Sequence, residues 1–382
     1  MEFQKICKAM EGPSIYPHEV SVVERRDTHI SSVFLAGEWV YKLKKPVDLG
    51  FLDFTELDSR LRFCRREVEL NRRLTQGVYR GVVAIVADSA GSLSLVDEED
   101  PRAERAGEYA VKMRRLPEDR TLAHLLEEGE IGAAEARALG RRLAGFYREA
   151  ARGREIDRLG DWNTVRKNVR ENFEQTEGYL DSLLDRDLWM VIREASLGFL
   201  ERERDLFQRR VEGGRICEGH GDLRAEHVYF SDGIQILDCI EFNERMRYLD
   251  PASDLGFLHS DLLMRESTGI SARVLESYAF ESGDFELYRL LDFYACYRAM
   301  VRTKVGCLRS DQLSGAEQEE LRRQIAGHLR LAFECALAFA RPTLWVVCGL
   351  PATGKSTLGR SLANLFSLPL HTSDGVRKQL AA

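Results

Sequence analysis

Residues 217–255 read CEGHGDLRAEHVYFSDGIQILDCIEFNERMRYLDPASDL, and the fold of the chain turns on them. Two runs have strand character, residues 227–230 and 234–238, and between them stand Ser231 and the Asp232-Gly233 pair that type I′ hairpin turns favour. A two-residue loop at Asp232 and Gly233 sets His227 opposite Asp238 on one face of the ribbon, with Cβ atoms about 4.5–5.5 Å apart. Upstream, Gly219, His220, Gly221 and Asp222 break any periodicity, so an irregular loop carries two more ionisable groups to the same end. One hairpin is therefore expected to gather His220, Asp222, His227 and Asp238.

A carboxylate on a loop beside a second at a strand end suits phosphoryl transfer, in which one Asp orients the attacking hydroxyl and another holds Mg²⁺ on the nucleotide phosphates. The same residues also describe a surface hairpin with solvated charges. The order H-G-D-L-x-x-x-H, a strand pair and then I-L-D resembles the catalytic segment of aminoglycoside phosphotransferases and related protein-kinase-like small-molecule kinases. The later D-P-A-S-D-L resembles the helix that follows their metal-binding Asp. The resemblance implies a catalytic Asp222 steadied by His220, a metal-binding Asp238, and an Asp254 that braces the catalytic loop. His227 departs from the pattern, because those kinases usually carry a metal-binding Asn there. His227 stands at the second metal position of the pattern, but imidazole is a poorer partner for Mg²⁺ than an amide oxygen, so contact with a phosphate or with Asp238 is the alternative.

Ahead of this segment, residues 20–23 and 33–43 have strand character and flank the polar RRDTHISS. In a kinase-like fold that polar loop covers the phosphates, where Thr28, Ser31 and Ser32 would offer donors; read alone it is an ordinary polar hairpin. Residues 38–43 alternate like a strand, and Lys42 near its end can meet phosphates when a helix Glu fixes it. The following helix carries Glu67 one turn before Leu70, which makes Lys42 and Glu67 an ion-pair candidate, with Lys44 and Glu69 as alternatives. Residues 40–54, VYKLKKPVDLGFLDF, and 65–74, RREVELNRRL, resemble the front of a bacterial family that joins an aminoglycoside-phosphotransferase-like domain to a C-terminal P-loop domain. Residues 82–86, 93–96 and 109–113 complete a five-strand reading of a small lobe, and Met113 to Leu116 is the candidate hinge that would offer backbone groups to adenine.

Helical periodicity follows, with Leu139, Leu143 and Phe146 on one stripe, a helix capped by Asp161, and a third over residues 188–211 ended by Gly213-Gly214. Asp250-Pro251 opens the helix bearing Asp254. Farther on, Arg298 and Arg302 share a helix face at i, i+4, suited to an acidic substrate or to a salt-bridged surface. Glu241, Glu244 and Asp261 are expected around the substrate mouth, where they would attract a cation.

Near the C-terminus, apolar residues 343–348 precede GLPATGKST at 349–357. Gly349, Gly354, Lys355 and Ser356 fit G-x-x-x-x-G-K-[ST], whose backbone amides wrap phosphate and whose hydroxyl reaches Mg²⁺, with Thr357 beside it. A strand at 368–371 and SDGVRKQL resemble small P-loop kinases, in which Asp374 and Arg377 would approach the substrate. Too few residues remain for a whole P-loop domain, so this part reads as the start of one.

The 382 residues are 44% hydrophobic and 31% charged with a net charge of −7, which disfavours a nucleic-acid footprint and suits a soluble globular protein. Eight cysteines show no C-x-x-C pair, several lie in apolar runs (Cys239, Cys335, Cys348), and MEFQKICKAM has no signal-peptide core. A reducing cytoplasm and no membrane partner are expected. The predicted architecture is an α+β, two-lobed protein-kinase-like fold, followed by the start of an α/β P-loop domain. Its divisions are a small lobe at 1–116, a helical lobe at 117–340 and the P-loop start at 341–382. The predicted activity is ATP- and Mg²⁺-dependent phosphorylation of a small-molecule hydroxyl. The alternative is a nucleotide-sensing, pseudokinase-like module that controls chemistry in the P-loop part.

Overall fold

The computed structural model describes residues 2–50, 52–310, 313–340, 346–350, 352–365, 370 and 372–380. Helix α1 (Phe3–Met10) leads into β1 (Val23–Asp27), β2 (Ser31–Ala36) and β3 (Trp39–Lys44). Then come α2 (Leu57–Arg72), β4 (Tyr79–Ala87), β5 (Leu93–Asp97) and β6 (Glu108–Arg114). The strands form one antiparallel sheet in the order β1-β2-β3-β6-β4-β5. The sheet has six strands rather than the expected five, because residues 33–43 fold into a hairpin with Ala36 paired to Trp39 across a tight turn at Gly37 and Glu38. The first strand also starts later than expected, so that Arg25, Arg26 and Asp27 are within β1 and the connecting turn shrinks to Thr28, His29 and Ile30.

Alternation along the strands gives the sheet two apolar faces. One buries Phe34, Tyr41, Leu43 and Ile85 against Ile6 and Met10 of α1; the other buries Val82, Val111 and Met113 against Cys64 and Val68 of α2. Tyr229 and Leu237 of the second lobe pack onto this latter cluster.

The second lobe begins with α3 (Leu122–Glu127), α4 (Ala133–Glu149), α5 (Arg154–Leu159) and α6 (Trp162–Thr176). Asp161 caps α6 by accepting the Thr164 amide at 2.8 Å. The helix expected over 188–211 is two, α7 (Arg186–Arg202) and α8 (Arg204–Glu212), because the backbone leaves helical geometry at Glu203. Short strands follow: β7 (Cys217–Glu218), β8 (Val228–Phe230) and β9 (Ile234–Ile236), then α9 (Glu244–Arg247) and β10 (Tyr248–Leu249), which pairs with β7. Helices α10 (Pro251–Met264), α11 (Thr268–Ser282), α12 (Leu287–Ser310) and α13 (Gly315–Ala340) complete the core. Gly140 lets α4 meet α11 closely, since a Cβ there would lie 2.4 Å from the Val274 carbonyl oxygen.

Beyond α13 the described residues form α14 (Lys355–Leu365) and α15 (Ser373–Leu380). Residues 343–345 of the expected strand lie outside the described residues, and 346–350 are not in a strand. The strand expected at 368–371 also lies outside them, apart from Leu370. Seven cysteines are buried and all eight are free; Cys348, expected in a buried run, is exposed. No helix of the described residues is long and apolar enough to cross a membrane.

Candidate active site

The loop after β7 is held from beneath by Asp254 at the start of α10. Its carboxylate accepts the amides of His220 at 2.7 Å and Gly221 at 2.9 Å, and the Tyr147 hydroxyl at 3.0 Å. Gly219 permits this approach, because a Cβ there would stand 2.7 Å from Asp254 Oδ2. Arg298 of α12 donates to the Gly221 carbonyl and to Ser253 Oγ, both at 3.0 Å, so this arginine is part of the loop's scaffold.

His220 is a brace between the loop and the hairpin rather than a group facing solvent. Its Nδ1 accepts the Asp222 amide at 3.2 Å and its Nε2 lies 2.8 Å from the Leu237 carbonyl, which assigns the proton to Nε2. Burial pushes the imidazole down to about 4 against the pull of Asp254, so the ring stays neutral at ordinary pH. Asp222 itself is only partly covered. Burial raises its carboxyl, but Arg224, His227 and His220 outweigh that and keep it ionised.

The hairpin has a different register from the expected one. Val228 pairs with Ile236, Tyr229 with Gln235 and Phe230 with Ile234, so the loop holds three residues, Ser231 to Gly233, and His227 faces Leu237. The buried Gln235 amide explains the wider loop: it donates to the carbonyls of Ser231 at 3.3 Å and Asp232 at 2.9 Å. A one-residue slip normally turns side chains to the opposite face. Asp238 escapes that outcome by adopting φ of +61°, a left-handed conformation costing about 1–2 kcal/mol in a residue other than glycine. Its Oδ2 thereby comes within 3.8 Å of His227 Nε2.

Lys42 reaches across the cleft, with Nζ 2.9 Å from Glu67 Oε1 and 2.8 Å from Asp238 Oδ1. Burial opposes its charge, but Asp238 and Glu67 overcome this and hold the ammonium well above its ordinary range. Asp238 is likewise pushed up by burial and carried well below the usual carboxylate range by Lys42 and then His227. The sequence left Lys42 and Lys44 as alternatives; both lie on the same face of β3 and both bind Glu67. Lys44 Nζ is 2.8 Å from Glu67 Oε2 and also contacts Glu241. Glu69 instead pairs with Arg66 at 2.7 Å. Glu241, expected at the substrate mouth, is buried behind Lys44 and is not available to draw in a cation.

The expected phosphate-loop donors are engaged locally. Thr28 Oγ1 is used within its own turn, accepting the Ser31 amide at 3.0 Å; Ser32 Oγ donates to Asp27 at 2.6 Å; and Ser31 is buried in the sheet. Ser31 and Ser32 are buried in the strand, and Thr28, exposed in the turn, has its hydroxyl bonded to the Ser31 backbone. Met113 and Leu116 are buried in the apolar cluster between the sheet and α2, with the Arg114 and Arg115 amides bonded to Val78 and Glu38. Asp261 accepts the Ala225 amide at 2.8 Å and so braces the loop, while Glu244 accepts the Tyr248 hydroxyl at 3.4 Å.

Arg224, two residues after Asp222, escaped the sequence reading. It donates to Asp222 Oδ2 at 3.2 Å, to Glu226 at 2.8 Å and to His227 Nε2 at 2.9 Å. His227 Nδ1 in turn donates to the Asp222 carbonyl at 2.9 Å. Arg302, one turn beyond Arg298, has no hydrogen bond or ion pair among the described residues, and Asp222 feels its charge. In the C-terminal part, Gly354 has φ of +83° and α14 starts at Lys355, whose Nζ bonds the Leu350 carbonyl at 3.0 Å. Ser356 and Thr357 follow in its first turn, and Gly349 is extended with φ of +157°. Asp374 pairs with Arg377 at 2.5 Å and Lys378 at 2.9 Å on the exposed face of α15. Among the described residues no hydrogen bond or ion pair joins 349–377 to the Asp222 cleft.

The family model described as the phosphotransferase enzyme family (APH) matches residues 94–294, more than half of the chain. The chain belongs to this phosphotransferase family. The matched region holds Asp222, Asp238 and Asp254, whereas Lys42 and Glu67 lie before it. An uncharacterized protein of Mycobacterium tuberculosis (strain ATCC 25618 / H37Rv) is 34% identical over 359 residues, 94% of this chain and 68% of that protein. A counterpart from Mycobacterium bovis matches to the same extent. Among solved structures, a choline/ethanolamine kinase family protein from Mesorhizobium loti superimposes with a TM-score of 0.50 at 13% identity, covering 89% of this chain and 98% of that one. That likeness is one of fold, the kinase-like arrangement of the phosphotransferase family.

Proposed function

We propose that the chain transfers the γ-phosphoryl group of ATP to a hydroxyl of a small molecule, with Asp222 as the base and Lys42 as the phosphate-binding cation. The observation that carries this reading is Lys42 bound at once to Glu67 and Asp238, 25 and 196 residues away in sequence, with His227 between Asp238 and Asp222 at 3.8 and 3.6 Å. In the reaction the acceptor oxygen gives its proton to an Asp222 carboxylate oxygen and forms a bond to the γ-phosphorus, while the bond to the departing ADP oxygen breaks. His220 and Asp254 hold the Asp222 backbone and so fix the direction of its carboxylate. The backbone of Met113 to Leu116 is assigned to the adenine, and Thr28, Ser31 and Ser32 contribute to the shape of the overlying strands rather than hydroxyl donors.

Asp238 fits a Mg²⁺ site. Its carboxylate is set among Lys42 and His227 yet keeps about 45% of its side-chain surface open, and it is firmly ionised; Mg²⁺ is commonly held by one or two carboxylates with nucleotide phosphates and water filling the rest. When bound, the ion neutralises charge on the phosphates. His227, engaged by Arg224 and the Asp222 carbonyl, is assigned to orienting that loop.

ADP production by the chain with Mg-ATP and a panel of hydroxylated small molecules tests the reading. Loss of turnover on Asp222→Ala is expected, and retained turnover would overturn it. A second reading, a nucleotide-sensing module without chemistry, draws on the Arg224 bridge between Asp222 and His227, which closes the position of the family's second metal ligand. It predicts ATP binding with no turnover. Residues 349–357 are assigned phosphate binding as the start of a P-loop, with Ser356 toward Mg²⁺ and Asp374 and Arg377 toward a substrate. Lys355→Ala tests that role and leaves Asp222-dependent turnover in place.

A further inference from the structure

Beside Asp222, α6, α12 and the segment leading from β9 to α10 enclose a cavity of about 140 Å³. We propose that it seats an acceptor that carries its own compact oxyanion, a carboxylate or a phosphate, next to the hydroxyl to be phosphorylated. This deepens the phosphotransferase reading and rests on it.

The charges around the cavity carry the inference. Each carboxylate that borders it already has a cation: Glu171 takes both nitrogens of Arg245 at 3.0 and 2.8 Å, Asp250 takes Arg210 at 2.6 and 2.7 Å, and Asp222 takes Arg224. Arg298 is committed to the Gly221 carbonyl and Ser253. Lys304 of α12 also lines the cavity, yet it has no hydrogen bond or ion pair among the described residues. The Asn172 amide nitrogen, in a residue only 2% exposed, has no partner either. Arg298 Nε is a second buried donor left open, so the two buried atoms at the cavity without a partner are both donors, with the half-buried Lys304 beside them. A buried donor without an acceptor is destabilising, and cavities whose unmet groups are all donors are completed by a ligand rich in acceptors. Burial lowers the Lys304 pKa, with Glu171 opposing and Arg245 adding to the drop, as expected for an ammonium lacking a counter-ion of its own.

The cavity is compact, with room for a three- or four-carbon polyol acid beside Asp222. A cationic group placed there would meet Lys304 as a like charge with no free carboxylate in reach.

Four three-carbon probes separate the possibilities: glycerate, glycerol 3-phosphate, glycerol and 2-amino-1,3-propanediol, titrated into the full chain by ligand-observed NMR. Glycerate or glycerol 3-phosphate is expected to bind at least about ten-fold more tightly than glycerol, with the amine weakest. The better of the two anions distinguishes a carboxylate site from a phosphate site. Lys304→Gln and Asn172→Leu should each erase most of that preference, and Lys304→Arg should keep it. Equal binding of all four probes, tightest binding of the amine, no anion binding, or an anion preference untouched by Lys304→Gln overturns the proposal. Its failure is distinct from failure of the phosphotransferase reading, which would show as no Asp222-dependent ADP production with any acceptor.

Discussion

Replacing Asp254 by Asn tests how the catalytic loop is held. The carboxylate accepts two backbone amides and one phenol, all buried. An amide side chain can keep one backbone donor on its oxygen but turns an NH₂ group toward the other. One charge-assisted hydrogen bond worth about 1.5–3 kcal/mol is lost, and a buried N–H is left unmatched at about 1–3 kcal/mol. A destabilisation of about 3–5 kcal/mol follows, a large part of the roughly 5–15 kcal/mol available to a folded protein. Tyr147→Phe removes one donor to the same carboxylate and should cost about 1.5–3 kcal/mol. In the double variant the two losses should not add, since both act on Asp254 Oδ2. Urea unfolding followed by circular dichroism measures all three, with the slope of the transition unchanged. If Asp254→Asn falls within about 0.5 kcal/mol of the parent, the loop is not held in this way.

Lys42→Met and Lys44→Met should differ in kind. The former is expected to remove phosphoryl transfer while Lys44 still neutralises Glu67; the latter leaves Glu67 and Glu241 buried together and should cost about 3–5 kcal/mol in urea unfolding. Arg210→Leu should be similarly destabilising, because Asp250 and Asp284 both lose their buried cation. Acid should weaken the fold between about pH 6.5 and 4: His220, His259 and His328 are each pushed by burial down to about 4, whereas the unfolded chain binds those protons from about pH 6.5 downward. His220 alone accounts for up to about 3 kcal/mol of that loss, and His220→Gln should flatten the fall in melting temperature across this window.

Local signals made the elements around the site readable. Asp161 and Asp250 cap helices where side-chain chemistry and Pro251 indicate, and the Asp232-Gly233 turn falls between two strands with both residues at positive φ. The hairpin register was not readable, because it depends on the Gln235 side chain returning to its own loop, a choice that hydrophobic alternation does not record. The meeting of His227 and Asp238 was anticipated from the wrong register and arises instead from the left-handed backbone at Asp238. Lys42 against Lys44 could not be decided from a strand alone, since residues two apart share a face. Only the packing of α2 reveals that Glu67 serves both. Arg224 carried one usable signal, its place two residues after Asp222, whereas the idle donors at Asn172 and Lys304 depend on helices that meet only in three dimensions.

The double grip of Glu67 has a bearing on control. In protein kinases the β3 lysine and the helix glutamate must both be in place for activity, and control commonly works by positioning that helix. Here, swinging α2 outward would strip Lys44 of one carboxylate inside a dry interior as well as separating Lys42 from its partner. Such a movement is doubly penalised, which leaves the small lobe locked in its working posture. The opposite wall is built differently, with Asp238 in a strained backbone and Arg224 bridging Asp222 and His227.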